Sequence, residues 1–166
     1  MSSTLQNPKL HTLAEARLLR EGLRQQGKSF VLSNGCFDLL HPGHLYYLQK
    51  AAQLGDSLWV ALNADQSIQK LKGPTRPLQS QEERAYMLSG LECVQGIIIF
   101  DSLRLDQEIL MLQPDIYVKA GDYTLETLNA QERQALEAVQ AKIHFAPFLK
   151  GYSTSTMIQY IRKLTL

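Results

Sequence analysis

The chain of 166 residues carries 17 basic and 16 acidic side chains, a formal charge of +1 with histidines neutral, and 45% hydrophobic against 20% charged residues. That size and balance describe one ordinary globular domain with apolar surface enough for a core, and exclude a disordered chain. A near-neutral total gives no reason to expect a nucleic acid or a membrane as partner, so any cationic site has to be local.

The opening "MSSTLQNPKLHTLAEARLLREGL" holds no apolar core of secretory-leader length, and no later stretch approaches the roughly 18 apolar residues of a membrane span. A cytoplasmic protein is expected. Leu13, Ala16, Leu19 and Leu23 recur at helical spacing in "LAEARLLREGLRQQG", which stops at Gly27, a residue suited to a left-handed cap. "KSFVLSNG" then reads as a buried strand, and "PGHLYYLQKAAQLG" as a helix with proline in its first turn and Gly55 at its end. "SLWVALNAD" is a second strand; "SQEERAYMLSGL" is a helix with Ser80 as N-cap and Glu83 three residues on; "GIIIF" is a third strand. The alternation continues through helix "LRLDQEILMLQ", strand "DIYVKAGD", helix "NAQERQALEAVQ", strand "KIHFAP" and a last helix "STSTMIQYIRKL" capped by Ser153. Cys36 and Cys93 lack the C-x-x-C spacing of a zinc or redox pair and are expected as free thiols.

Nearly unbroken apolar strands alternating with helices imply an α/β fold: a doubly wound, Rossmann-like parallel sheet of five strands with helices on both faces. The expected organisation is a single domain over 1–166, with 1–27 as an N-terminal helical extension and 28–164 as the catalytic core. Ligands of such sheets sit beyond the carboxyl ends of the strands, near the point where strand order reverses. The segments so placed are "SNGCFDLLHPGH", "NADQSIQKLKGPTRP", "KAGDY" and "KGYSTST".

In the first of these, Pro42 and Gly43 put His44 in the first turn of a helix, whose free N–H groups favour an anion. His41 and His44 can each donate to phosphate oxygens, and Gly43 lets the backbone approach closely. A lone histidine is more often a surface or core residue, and His11 and His144 are read that way. Cys36, Asp38, His41 and His44 also suggest a metal, but the i, i+4 histidine pair of H-E-x-x-H sites is absent, and no metal ligand is assigned.

"NGCFDLLHPGH" resembles the signature of the H-x-G-H nucleotidyltransferase superfamily, which is cytidylyltransferase-like. With "LKGPTRPL", "ERAYMLSGLECV", "PDIYVKAGDY" and "GYSTSTMI", residues 28–164 most resemble the D-glycero-β-D-manno-heptose 1-phosphate adenylyltransferase domain, which makes ADP-heptose, a lipopolysaccharide precursor. Two positions depart from that pattern. Ala120 stands where a second glycine is expected, and Ser155 where a second threonine is; serine keeps the hydroxyl, whereas Ala120 restricts the backbone if the site needs positive φ.

The resemblance implies attack by a sugar-phosphate oxygen on the α-phosphorus of ATP, with pyrophosphate leaving in line and Mg²⁺ held through the triphosphate. A phosphate monoester has its second pKa near ~6, so the nucleophile is already ionised at neutral pH and needs no general base. The work is alignment and neutralisation of charge. By resemblance His41, His44 and Lys72 are the catalytic residues, with Lys72 in a Gly/Pro-containing loop. Gly35, Cys36, Phe37, Asp38, Gly43, Asn63, Lys119, Gly121, Asp122, Ser153, Thr154 and Ser155 are expected at the nucleotide, and Arg76 and Tyr123 at the acceptor. Arg76 suits a phosphate because its guanidinium grips with two hydrogen bonds. Asp38, repelled by a bare triphosphate, is expected to fix the loop or a neighbouring cation. Lys70 is less favoured, Arg84 reads equally well as a surface ion-pair partner, and Lys28 falls at the opposite end of the sheet.

The expected partners are therefore small molecules, ATP and a sugar phosphate, with a separate kinase upstream and a possible homodimer. Two alternatives stay open: a cytidylyltransferase acting on glycerol 3-phosphate or a similar small phosphate, and a non-catalytic nucleotide- or metal-binding module.

Overall fold

The computed structural model describes residues 5–121, 123–147 and 149–164. Five parallel strands, β1 (Phe30–Gly35), β2 (Ser57–Asn63), β3 (Gly96–Phe100), β4 (Ile116–Ala120) and β5 (Lys142–Ala146), lie in the order β3-β2-β1-β4-β5. The helices are α1 (Leu13–Gln25), α2 (Pro42–Ala52), α3 (Asp65–Lys72), α4 (Gln81–Ser89), α5 (Asp106–Leu112), α6 (Ala130–Ala138) and α7 (Thr154–Leu164). This is the doubly wound α/β sheet that the alternation implied. The chain runs outward from β1 through β2 to β3, then returns to lay β4 on the other side of β1.

The pleat explains why the strands are apolar throughout. Phe30, Leu32, Trp59, Ala61, Ile98 and Tyr117 face a core built with α1, α5 and α6, while Val31, Leu58, Val60, Leu62, Ile97 and Val118 face a second core built with α2 and α4. β1, β2 and β3 therefore bury both faces over most of their length, whereas the edge strand β5 leaves Lys142 and His144 exposed. α1 seals one side through Ala16, and Leu10 bridges to Ile97 just before it.

Local signals fix several ends. Gly27 takes the left-handed conformation (φ 68) after α1, and Ser80 and Glu83 form a reciprocal box at the start of α4. Thr12 and Glu15 form another at α1, which the sequence reading passed over. The unforeseen element is α3. Its N-cap is Ala64, which has no side-chain oxygen to announce a helix, so the segment reads as loop. Lys72 is thus the last residue of a helix, and Gly73 (φ 95) ends it.

Gly96 shows how tightly β3 meets β2. A Cβ there would come 2.3 Å from the Trp59 indole, which is itself held by its Nε1–H to Ser57 Oγ at 3.2 Å. Gly96→Ala forces the ring to move and is expected to lower stability by about 1–3 kcal/mol, read by urea denaturation. A loss too small to measure would mean that the ring is not confined.

Candidate active site

The strand order reverses between β1 and β4, and a cleft of about 650 Å³ opens beyond their carboxyl ends. It brings together Gly35, Cys36, Phe37, Gly43, His44, Asn63, Lys72, Lys119 and Tyr123 from the sequence-derived set. A second hollow of about 740 Å³ between α1 and α5 holds none of them.

His41 is the N-cap of α2. Its backbone is extended, and its Nδ1 accepts the His44 N–H at 3.3 Å. A nitrogen that accepts carries no proton, so in the neutral ring the proton sits on Nε2. The two imidazoles stack with centroids 3.8 Å apart, and Phe37 leans on His44 at 5.2 Å. Gly43 makes this possible: a Cβ there would lie 3.0 Å from the His41 ring and 3.2 Å from Tyr152 Cβ.

Burial drives His44 down to about 4, with His41 and Lys72 adding in the same direction; the Leu39 carbonyl acts the other way. Burial lowers His41 as well. His44 Nδ1 is enclosed without a partner in hydrogen-bonding geometry, so Nε2 is the nitrogen left to meet a ligand. At neutral pH both rings are fixed neutral dipoles, not cations.

Asp38 is buried and fully occupied. Its carboxylate accepts Arg76 Nε at 2.6 Å and the N–H groups of Leu78 and Gln79 at 2.8 and 3.2 Å. It thereby ties the segment after α3 to the segment after β1. Arg76, expected at the acceptor, spends its Nε on this pair and is not among the residues lining the cleft.

Arg84, which the sequence left as a possible surface residue, is completely buried. It donates to the carbonyls of Cys36 (2.6 Å), Asn63 (2.8 Å) and Gln79 (3.1 Å) and to Asp65 at 2.7 Å. One side chain holds the ends of β1 and β2 and the starts of α3 and α4. Asn63 in turn donates to Ser67 Oγ at 3.2 Å, and the Cys36 thiol stands 3.9 Å from Asn63 Oδ1. Cys36 and Cys93 are both free.

On the far wall, Lys119 Nζ donates to Asn34 Oδ1 at 2.9 Å and to the Tyr117 hydroxyl at 3.2 Å, and lies 3.7 Å from Glu132. Tyr117 also donates to Asn34, at 2.8 Å. Burial pulls Lys119 below the usual lysine range; Glu132 opposes this and Arg104 reinforces it. The ammonium also sits over the Tyr123 ring, 5.2 Å from its centroid. Asn34, Tyr117 and Glu132 were missed in the sequence because their partners are tens of residues away, and Arg104, which also lines the cleft, stands in no motif.

Ala120 closes β4 opposite Ala146, and the positive φ belongs to the next residue, Gly121 (φ 86). The alanine therefore meets no backbone penalty. Asp122 lies outside the described residues. Ser153 Oγ accepts the Thr156 N–H at 3.0 Å, capping α7, and Thr154 Oγ1 reaches the Leu39 carbonyl at 3.5 Å. The start of α7 is thus brought to the His41–His44 loop, with Ser155 exposed beside it.

Two outcomes follow from this geometry. Arg84→Ala strands three carbonyls and a carboxylate and is expected to cost about 3 kcal/mol or more in chemical denaturation; a neutral substitution would show that the loops hold without it. For His44, the folded pKa of about 4 lies below the ordinary 6.5, so the unfolded chain binds more protons between those values. Its contribution is complete above pH 6.5 and is lost as pH falls toward 4. Between pH 7 and 5 the wild type should therefore lose more stability than His44→Gln in urea titrations, and equal losses would count against the burial account.

The comparisons with known proteins agree with this geometry. A profile of the cytidylyltransferase-like family matches residues 32–160. The chain is 45% identical over 150 residues to the bifunctional protein HldE of Syntrophotalea carbinolica, covering 86% of this chain and 30% of that protein. It is 44% identical over 140 residues to the same protein of Geobacter sulfurreducens, covering 84% and 28%. The chain thus spans less than a third of the length of these curated relatives. A lipopolysaccharide core biosynthesis protein of Thermoplasma volcanium superposes with a TM-score of 0.61 at 25% identity, covering 76% of this chain and all of that one. From the matched profile and the parallel sheet with its H-x-G-H loop at the switch point, the chain belongs to the cytidylyltransferase-like family of nucleotidyltransferases.

Proposed function

We propose that the chain transfers AMP from ATP to a sugar 1-phosphate, with heptose 1-phosphate as the preferred acceptor, giving an ADP-sugar and pyrophosphate. The observation that carries this is the stacked His41–His44 pair at the start of α2, next to Lys72 and the hydroxyls of α7. Similarity to HldE proteins supports the choice of adenylyl group and heptose.

The acceptor phosphate attacks the α-phosphorus and the bond to the β-phosphate oxygen breaks, so the site has to neutralise charge rather than move protons. His41 and His44 donate through Nε2 to phosphate oxygens. The first-turn N–H groups of α2 add fixed partial positive charge there. Lys72, exposed at the end of α3, offers a mobile cation to the charge gathering on the leaving pyrophosphate. Ser153, Thr154 and Ser155 supply hydroxyls for the terminal phosphates. Gly35, Cys36 and Phe37 pass the nucleotide by their main chain, and Asn63, Lys119 and Gly121 border it. Tyr123 faces the acceptor.

Among the described residues, no group of three or more His, Cys, Asp or Glu side chains is placed to hold a metal ion. Asp38, the one carboxylate of the loop, is spent on Arg76 and two N–H groups. Mg²⁺ would enter with the triphosphate and supply screening of its phosphate oxygens. No helix among the described residues is long and apolar enough to cross a membrane. A kinase activity supplies the sugar 1-phosphate, either from the additional length that the HldE relatives possess or from a separate chain.

Pyrophosphate release with ATP or CTP, against heptose 1-phosphate or glycerol 3-phosphate, tests the reading. Release is expected with ATP and heptose 1-phosphate; release with CTP alone would replace it with the cytidylyl reading. His44→Ala is expected to lower kcat by at least roughly tenfold, the cost of one transition-state hydrogen bond. An unchanged kcat removes His44 from the chemistry.

A further inference from the structure

A phosphate monoester entering beside a triphosphate brings close to two further negative charges and needs a cation of its own. Three cations line the cleft: Lys72, Arg104 and Lys119. Lys72 lines the cleft with His44 and is the cation that the proposed transfer gives to the reacting phosphates. Lys119 is committed to Asn34, Tyr117 and Glu132, and Glu132 offsets its charge. Arg76 is engaged by Asp38. Among the described residues neither the Lys72 ammonium nor the Arg104 guanidinium has a hydrogen bond or ion pair; with Lys72 given to the reacting phosphates, Arg104 is the cation left for the acceptor.

The backbone around Arg104 is held firmly. Ser102 Oγ donates to the Arg104 carbonyl, and the next N–H, of Leu105, donates to Glu132 Oε1 at 3.2 Å. Arg104 follows β3, one edge of the sheet, whereas the hydroxyls of α7 follow β5, the other edge. A nucleotide whose phosphates lie between the α2 start and α7 leaves the β3 side of the cleft for the second substrate.

We propose that Arg104 binds the phosphate group of the acceptor and so determines specificity for phosphate monoesters. The inference deepens the transferase reading and rests on it. Its planar fork can take two phosphate oxygens at once, which lysine cannot do.

The test uses the full chain with Arg104→Ala and Arg104→Lys. In pyrophosphate release, Arg104→Ala should raise KM for heptose 1-phosphate by at least about tenfold while KM for ATP stays within about twofold, and Arg104→Lys should recover part of the loss. An unchanged acceptor KM, or an equal rise for ATP, overturns the assignment. Calorimetric titration of heptose 1-phosphate into the complex with α,β-methylene-ATP separates this from failure of the transferase reading. If the wild type turns over no acceptor yet binds the monoester, and Arg104→Ala weakens that binding, the transferase reading falls and the Arg104 site stands. Equal binding by both proteins, or none by either, overturns the site. Retained binding of α,β-methylene-ATP by Arg104→Ala shows that the variant is folded.

Discussion

The guanidinium of Arg84 occupies the one place where four segments of the active edge converge. Its bonds to the carbonyls of Cys36, Asn63 and Gln79 and to Asp65 replace what the chain cannot supply by itself, since loops leaving parallel strands have backbone groups with no ladder partner. A fully buried cation is costly unless its donors are paired, and here the pairing partners are the loops themselves. The phosphate-facing residues inherit their positions from this arrangement: Cys36 and Phe37 lead directly to Asp38 and His41, and Asp65 opens the helix that ends at Lys72.

The electrostatic plan is economical in charge. Both histidines are kept neutral by burial, Asp38 is cancelled by Arg76, and Glu132 is set against Lys119. What remains for ligands is a set of oriented N–H and O–H dipoles, with Lys72 and Arg104 as the cations not already committed. That suits a reaction whose nucleophile arrives ionised, because proton-transfer groups have nothing to do and preorganised donors have everything to do.

The fold was readable because its signals are local. Apolar strands, helical spacing and the Ser80–Glu83 box all lie within a few residues of what they predict. His41, Pro42, Gly43 and His44 were readable for the same reason, as a cap and a first turn. Helix α3 was hidden because Ala64 cannot cap. Arg84 was hidden because a charged residue inside a helix is usually solvated, and only the folded chain brings Cys36, 48 positions away, to its Nη1. The Asn34–Tyr117–Lys119 cluster spans 85 positions and leaves no trace in spacing. Arg76 was misleading in an instructive way: a guanidinium in an active-edge loop suits a phosphate, and a buried carboxylate suits a guanidinium equally well.

The Asp38–Arg76 pair also constrains movement. The segment after α3 is fastened at three points to one carboxylate that has almost no contact with solvent. Swinging it outward would leave that carboxylate without its donors in a dry setting, a far steeper cost than parting an exposed ion pair. The segment is a fixed brace beside the cleft and not a lid, so the loop after β1 that it holds is set in place before any ligand arrives.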